Sequence, residues 1–230
     1  MQNISQTNDS QQGEAFIHEI SNHVIREGGE ALIQFSPKKG ELQAHLKSGQ
    51  GDPTGIDYLC GYLVKSIQEV FTPSLGDQLY CSQTVQSLAK VHLRPDIGCF
   101  VQFTGDYSGL LILNYSGAAA LALYRGYMLQ MGMPEEELST MHTSDEVIDS
   151  LGELVNQIIG KFRKNVEDAY GLQAQNSQPK AIQINASITL SIGPAQAGEQ
   201  YRRISFKVAG HPFQVELAFE QSQFHQLITP

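Results

Sequence analysis

The stretch from Asp145 to Tyr170, DEVIDSLGELVNQIIGKFRKNVEDAY, has the longest unbroken helical period in the chain. Apolar residues recur in it every three or four positions, which predicts an α-helix with one apolar stripe. Thr143 and Ser144 before it are capping residues, and Gly171 after it suits the left-handed cap position. The stretch therefore predicts a long helix packed against a core. The apolar residues are Val147, Ile148, Leu151, Leu154, Val155, Ile158, Phe162, Val166 and Ala169.

A second stripe on the same predicted helix is polar. Asp149, Glu153, Asn156 and Gly160 are spaced four, three and four residues apart, so they lie on one side of the helix. Asn is unfavourable in a helix interior, and Gly costs about 1 kcal/mol there relative to Ala. Such a stripe is a solvated face, or, with Gly152 nearby, a surface that another molecule approaches. Tight helix packing is the other use of these glycines.

The spacing Asp149-x3-Glu153-x2-Asn156, followed after twenty-two residues by Pro179, resembles the signature of the CheC/CheX/FliY chemotaxis phosphatases. The stretch from Thr104 to Gly109 and the apolar run after it are similar to a Gly-x-x-Ser-Gly turn and strand of that family. The resemblance covers residues 56–220. It implies an α+β fold, a CheX-like pseudo-repeat with a mostly antiparallel sheet and two long helices packed together on one face.

The resemblance also implies a function, the hydrolysis of the aspartyl phosphate of a receiver-domain response regulator in chemotaxis or related two-component signalling. Carried onto this chain, Asn156 orients the water and Glu153 pairs with a cation of the receiver. Asp149 extends the acidic edge of that contact, and Gly152 and Gly160 let the partner approach. The receiver brings its own Mg²⁺ and acidic pocket, so hydrolysis needs little besides a positioned water. No cofactor or metal of this chain is expected.

The first predicted helix, residues 56–71, does not repeat the motif. Asp57, Ser66 and Glu69 lack its spacing, so the resemblance implies a single site, as in the CheX branch. Two other functions stay open. One is a non-catalytic CheX-like interaction module that binds a receiver or a flagellar switch component. The other is a small-molecule sensor.

Composition narrows the classes of function. The chain has 230 residues, 41% of them hydrophobic, and a formal net charge of −9, which disfavours nucleic acid as a partner. No apolar run approaches the length of a membrane span, and the first residues do not resemble a secretory signal. The three cysteines are widely spaced, as is typical of reduced thiols in the cytoplasm. The seven histidines show no ligand spacing, and we predict a cytoplasmic protein for which a homodimer is compatible with the resemblance.

Gly and Pro residues before position 56 mark the best candidate boundary in the chain. They separate an N-terminal extension, residues 1–55, from residues 56–225, for which the resemblance implies a CheX-like phosphatase domain. In the extension we predict a disordered start over 1–13, an amphipathic helix over 14–34, and a linker over 35–55 with one short element at 41–46. In the domain we predict a middle helix over 116–131 and a helical turn at 135–138. The predicted strands are 87–93, 97–103, 110–113, 181–192, 201–209 and 213–220.

Overall fold

The computed structural model describes residues 31–36, 43–46, 55–190 and 200–220. Three helices are found there: α1 (Gly55–Leu75), α2 (Gly117–Gln130) and α3 (Asp145–Tyr170). Short 3₁₀ turns occupy Gly76–Gln78 and Glu135–Glu137. The strands are β1 (Ala31–Ser36), β2 (Gln43–Leu46), β3 (Leu79–Leu88), β4 (Val91–Leu93), β5 (Ile97–Gly105), β6 (Gly109–Tyr115), β7 (Ala174–Asn176), β8 (Lys180–Gln183), β9 (Ile188–Leu190), β10 (Gln200–Val208) and β11 (His211–Phe219).

Helix α3 has the predicted bounds and caps. The Ser144 hydroxyl accepts a hydrogen bond from the Val147 N–H, and Gly171 ends the helix with φ 69°, its N–H donating to the Glu167 carbonyl at 2.7 Å. The apolar stripe is buried in the core from Val147 through Val166, apart from Ile148, which is half-buried. Ala169 is exposed, so the buried stripe ends one turn earlier than the sequence pattern indicates.

A nine-stranded sheet forms the second layer, in the order β2-β1-β3-β10-β11-β6-β5-β7, with β8 also paired to β5. Every strand pair found in the described ranges is antiparallel. The two long helices pack on each other, where Asn165 donates to the Ser66 hydroxyl at 3.0 Å and the Tyr62 and Tyr170 rings meet edge to face. The α+β class, the mostly antiparallel sheet and the helix pair are thus confirmed.

The sheet is buried on both faces. Side chains from the three helices and from alternate positions of β5, β6, β10 and β11 form the main core. On the other face, β4 and β9 form a two-stranded ribbon over a smaller apolar cluster. The Glu216 carboxylate is fully buried and accepts from Arg203 Nε at 3.0 Å and from the His92 N–H at 2.7 Å. Of the cysteines, Cys60 and Cys99 lie in the main core, and burial raises the pKa of Cys99 to about 12.

Three predicted boundaries inside the domain are wrong. Helix α1 continues through Pro73 to Leu75, because burial of Leu75 in the core offsets the helical hydrogen bond that Pro73 cannot donate. The predicted strand 87–93 is two strands, since the chain leaves the large sheet after Leu88 and β4 pairs with β9. The predicted strand 181–192 is likewise divided between β8, on the large sheet, and β9, on the ribbon.

The N-terminal helix prediction is wrong at its end. Residues 31–34 belong to β1, which pairs with β3, whereas residues 14–30 lie outside the described part of the chain. The short element predicted at 41–46 is strand β2, paired with β1. The prediction of a disordered start concerns residues 1–13, which are also outside the described residues. The hairpin of β1 and β2 thus extends the sheet of the domain at its β3 edge. The division of the chain at residue 55 stays a prediction.

Candidate functional site

The polar stripe of α3 lies on the side of the helix that faces away from the core. Asp149, Glu153, Asn156 and Gly160 are exposed, and Gly152 is half-buried. The polar stripe is exposed because the helical period places the apolar stripe on the opposite side of α3, where it packs against the sheet and helix α1. All five predicted site residues are therefore carried by one rigid element.

Four of these five residues line one groove, which we call the α3 groove. Its second side is formed by residues 176–181, which run from the end of β7 to the start of β8 and are called here the 176–181 wall. Gly160 lies one turn beyond the groove. The lining residues are Ile148, Asp149, Gly152, Glu153 and Asn156 from the helix, and Asn176, Ser177, Gln178, Pro179, Lys180 and Ala181 from the wall.

Strand pairing to β5 holds the wall beside the helix. Phe103 is the register partner of Asn176, and Phe100 that of Lys180. Between them the Ser177 N–H donates to the Gln102 carbonyl at 2.8 Å, and the Ser177 hydroxyl accepts from the Gln102 N–H at 3.2 Å. The three residues between the two strands are left at the rim of the groove.

Pro179 stands directly before β8, the position expected of a proline that ends a linker before a strand. It also lines the α3 groove, opposite the helical residues of its motif. Pro179 and Asn156 are separated by twenty-two residues in the chain and meet here because β7 and β8 fold back along α3. The sequence pattern alone did not place the two residues in one groove.

The polar side chains of the groove are only weakly engaged. Gln157 Nε2 donates to Glu153 Oε1 at 3.4 Å and to the Tyr127 hydroxyl at 3.4 Å. In the part of the chain that the structure describes, neither Asp149 nor Glu153 forms a salt bridge, and the Asn156 carboxamide has no hydrogen bond. A carboxylate and a carboxamide one turn apart are thus free to contact a partner.

The two glycines are not explained by packing within the described chain. A Cβ atom added to Gly160 would meet nothing within 4 Å, and one added to Gly152 would lie 3.9 Å from the Ala181 Cβ, an ordinary contact. Both residues have helical backbone conformations that Ala would adopt at lower cost. The sequence suggested that these glycines serve either tight helix packing or the approach of another molecule. Tight packing within the described chain is not supported at Gly160.

Helix α1 carries no second copy of this site. Asp57 is buried and pairs with Arg202, with 2.9 Å between Oδ1 and Nε. Ser66 is buried at the α1–α3 contact, and Glu69 lies 3.8 Å from Lys65. The three polar residues that fail to match the motif therefore take part in contacts of the fold itself.

A second polar pocket adjoins the groove at the C-terminal half of α3. Its central cation is Arg163, so we call it the Arg163 pocket. Arg163 Nη1 donates to the side-chain Oδ1 of Asn176, a contact between this pocket and the wall of the α3 groove. This pocket was not predicted from the sequence, although Arg163 continues the spacing of the polar stripe. The pocket is lined by Thr104, Gly105, Asp106, Arg163, Glu167, Gln173, Ala174 and Gln175.

The turn between β5 and β6 forms one side of this pocket. A Cβ atom on Gly105 would lie 2.4 Å from the Gln173 carbonyl oxygen, so only glycine permits this approach. The Asp106 N–H donates to that carbonyl at 2.8 Å, and the Asp106 carboxylate accepts from the Gln173 N–H at 2.8 Å. The predicted turn therefore anchors the chain where it leaves α3.

The described residues contain no group of three or more His, Cys, Asp or Glu side chains arranged to hold a metal ion. None of the described helices is both long and apolar enough to span a membrane.

Several solved structures with this fold are of chemotaxis proteins. A CheX protein from Desulfovibrio desulfuricans has a TM-score of 0.57 and 20% identity, over 71% of this chain and 99% of that chain. A CheC-like superfamily protein from Shewanella sp. PV-4 has a TM-score of 0.55 and 17% identity, over 70% and 97%. A chain of the CheX–CheY–BeF₃–Mg²⁺ complex from Borrelia burgdorferi has a TM-score of 0.52 and 16% identity, over 70% and 97%. No curated protein matches the sequence.

The fold defines this protein as a CheX-like α+β protein, which confirms the resemblance to the CheC/CheX/FliY proteins at the level of structure. The family described as "Protein of unknown function (DUF3334)" matches residues 54–229. The chain belongs to this family.

Proposed function

We propose that this protein is a phosphatase that hydrolyses the aspartyl phosphate of a receiver-domain response regulator. The observation that carries the proposal is the placement of Asn156. Its carboxamide is exposed in the middle of a rigid helix, inside the α3 groove, without a hydrogen bond in the described part of the chain. Glu153 lies one turn away in the same groove. Such a pair is suited to reach into the active site of another protein.

Asn156 would act on water and not on phosphorus. A receiver already holds Mg²⁺ and the acidic groups that surround its phosphoaspartate, so hydrolysis lacks mainly a water held in line with the phosphorus atom. A carboxamide can accept from that water and donate to it without adding charge. No covalent intermediate on this chain and no metal of its own are needed in this mechanism.

Glu153 would dock the receiver. Its carboxylate forms no salt bridge with a described residue, so a receiver cation can pair with it without displacing an existing partner. Asp149, one turn earlier, adds to the negative potential at this end of the groove. Gly152 and Gly160 have no side chains that project from the helix on either side of Asn156, so loops of the receiver can approach the helix closely.

The shared fold supports the proposed partner. One of the solved structures with this fold is a CheX protein bound to CheY with BeF₃ and Mg²⁺. At 16% identity that likeness concerns the fold, and the residues of the α3 groove are what extend the comparison to this chain. The proposed place of action is the cytoplasm, in chemotaxis or related two-component signalling.

Dephosphorylation of receivers from the same organism tests the proposal. Each receiver is phosphorylated with a small acyl phosphate, the donor is removed, and phosphate release is followed with and without catalytic amounts of this protein. The proposal expects faster release from at least one receiver and no acceleration by the Asn156→Ala variant. Unchanged release from a receiver that measurably binds would instead favour a non-catalytic interaction module.

A further inference from the structure

The polar stripe of α3 continues past the α3 groove. Arg163 and Glu167 lie seven and eleven residues beyond Asn156, so they share its side of the helix. Both line the Arg163 pocket. From Asp149 to Glu167 the stripe is about 27 Å long, from the 1.5 Å rise per residue of an α-helix. Groove and pocket therefore follow one another along a single exposed helix face, with the open surface of Gly160 between them.

Charge is ordered along this face. Asp149 and Glu153 make one end negative, Asn156 and Gly160 are neutral, and Arg163 is the next charged residue of the stripe. Arg163 forms no salt bridge with any described residue, although Glu167 lies one turn away. The Glu167 carboxylate instead accepts from Gln173 Nε2 at 2.8 Å.

The guanidinium of Arg163 has unused hydrogen-bonding capacity. It offers five N–H donors, and the neutral side-chain Oδ1 of Asn176 accepts from one of them. Its Nε atom is buried and lacks a hydrogen-bond partner in the described ranges. The Asp106 and Glu167 carboxylates also line the pocket, but both accept hydrogen bonds from Gln173, so the half-buried guanidinium remains a favourable site for a partner carboxylate.

We infer that the Arg163 pocket is a second docking contact, one that binds a carboxylate of the receiver whose acyl phosphate is presented to Asn156. The inference rests on the proposed function. Arg163 is ten residues from Glu153, so the cation and the anion of the receiver would contact the helix about 15 Å apart. Arg163 lies about 10 Å along the axis from Asn156, too far to contact the same phosphoryl group.

The ordered charges would give the complex one orientation. A receiver turned end to end would bring its anion to Glu153 and its cation to Arg163, which like-charge repulsion disfavours. Arg163 would thereby select receivers that carry a carboxylate at this distance from the active site. It is a specificity contact and takes no part in the chemical step.

A structural role for Arg163 must be separated from docking, because its bond to Asn176 also holds the wall of the α3 groove. Four variants make the separation. Arg163→Glu reverses the charge, and Arg163→Lys keeps it. Asn176→Ala removes the hydrogen bond between Asn176 and Arg163 and leaves the charge of Arg163 in place. Lys161→Glu is the matched control, because Lys161 is exposed and lines neither the groove nor the pocket.

Every receiver domain encoded by the same genome serves as a probe, loaded with beryllofluoride and Mg²⁺. Affinity is measured for the full chain and the four variants at low and high salt, and turnover is measured for each receiver that binds. Arg163→Glu should weaken binding about tenfold at low salt and less at high salt, with the loss falling on KM and not on kcat. Arg163→Lys should retain most of the affinity, and Lys161→Glu should change it by less than about twofold.

Each alternative outcome is informative. If Arg163→Glu and Lys161→Glu lost equal affinity for the receiver, the loss would be explained by the change in net charge, and the inference would be overturned. A loss in Asn176→Ala as large as that in Arg163→Glu, and independent of salt, would make Arg163 a tether and also overturn it. Binding that depends on Arg163 without turnover would keep the docking contact and reject the phosphatase. Absence of binding to every receiver would reject both.

Discussion

Asn156 occupies a position that local energetics do not favour. It stands inside a 26-residue helix, where its amide competes for backbone hydrogen bonds. The fold gains nothing visible in return, because the side chain is exposed and makes no hydrogen bond in the described part of the chain. A residue that neither packs nor caps is one whose replacement should affect function more than folding.

Replacing Asn156 with Ala is expected to leave the fold intact. Ala has a higher helix propensity, so the free energy of unfolding should stay within about 0.5 kcal/mol of the wild-type value or rise slightly. The rate of receiver dephosphorylation should fall about a hundredfold or more, because a misplaced water loses the in-line geometry. Thermal unfolding checks the predicted stability, and phosphate release checks the predicted loss of activity. Full activity would exclude the water-positioning role, and a large drop in Tm would show that Asn156 is structural.

Replacing Glu153 with Lys should act on binding. The affinity for a beryllofluoride-loaded receiver should fall, while the single-turnover rate of the complex changes less. Wild-type affinity should weaken with salt, since an exposed ion pair is screened. Titration at two ionic strengths tests both expectations. Glu136→Lys is the control, because it makes the same charge change at an exposed residue that does not line the groove. Salt-independent affinity would contradict this form of docking.

At the scale of the element, helix α3 has one face that packs in the core and one that is exposed. Its apolar face contributes much of the main core, which makes it rigid. Its other face presents the groove and the Arg163 pocket. Because the position of Asn156 depends on the whole helix, substitutions on the buried face should change activity only through stability.

Gly160 allows the two faces to be tested separately. Gly160→Ala should raise the free energy of unfolding by about 0.5–1 kcal/mol, because the added Cβ points into open space and Ala loses less entropy in a helix. Gly160→Leu should fold equally well yet weaken receiver binding by steric exclusion. Denaturant unfolding and affinity measurements check this, with Lys161→Leu as the neighbouring control. Undiminished binding of Gly160→Leu would show that nothing approaches the helix there.

The hairpin of β1 and β2 covers the β3 edge of the sheet. An uncovered strand edge is a template for pairing with another chain. Deleting residues 1–50 should therefore increase self-association relative to the full chain, since β3 would lose its outer neighbour. Light scattering after size exclusion, over a range of concentrations, measures the mass of both proteins. Equal masses at all concentrations would argue that the hairpin has no role in protecting the edge.

At the scale of the whole molecule, the proposed catalytic site is divided between two proteins. This chain supplies Glu153 and Asn156, and the receiver supplies the phosphoaspartate and Mg²⁺. The protein alone should therefore hydrolyse free acetyl phosphate no faster than buffer does, with or without added Mg²⁺. Phosphate release at high enzyme concentration checks this. Rapid hydrolysis would reject the proposed mechanism, because it requires a complete site on this chain.

The whole fold also contains a buried ionic cluster that local sequence patterns do not indicate. Glu216 on β11 contacts Arg203 on β10, and Arg94 lies 3.5 Å from the same carboxylate. Replacing Glu216 with Ala removes this carboxylate from a buried guanidinium, which typically costs about 3–5 kcal/mol. Denaturant unfolding measures the loss. A cost below about 1 kcal/mol would show that the cluster contributes little to stability.

The amino-acid sequence by itself determined the features that depend on neighbours within a few turns. The bounds of α3, the Ser144 cap, the Gly171 cap and the separation of the two stripes all follow from residues at most four positions apart. The exposed row from Asp149 to Asn156 could be predicted for the same reason, whereas the α+β class was predicted from the resemblance to the CheC/CheX/FliY proteins. Helix periodicity and capping are local properties, and burial of the apolar face strengthens them.

Only the tertiary structure decided how distant segments meet. An alternating apolar run predicts a strand but not its partner, so the divisions of 87–93 and 181–192 between two sheets were not predictable. Burial of Leu75 carried α1 past Pro73 for a similar reason. The wall that brings Pro179 opposite Asn156, and the pocket around Arg163, exist because β7 and β8 pair with β5 beside α3. Strand pairing is a long-range contact whose free energy depends on which surfaces the rest of the fold leaves available.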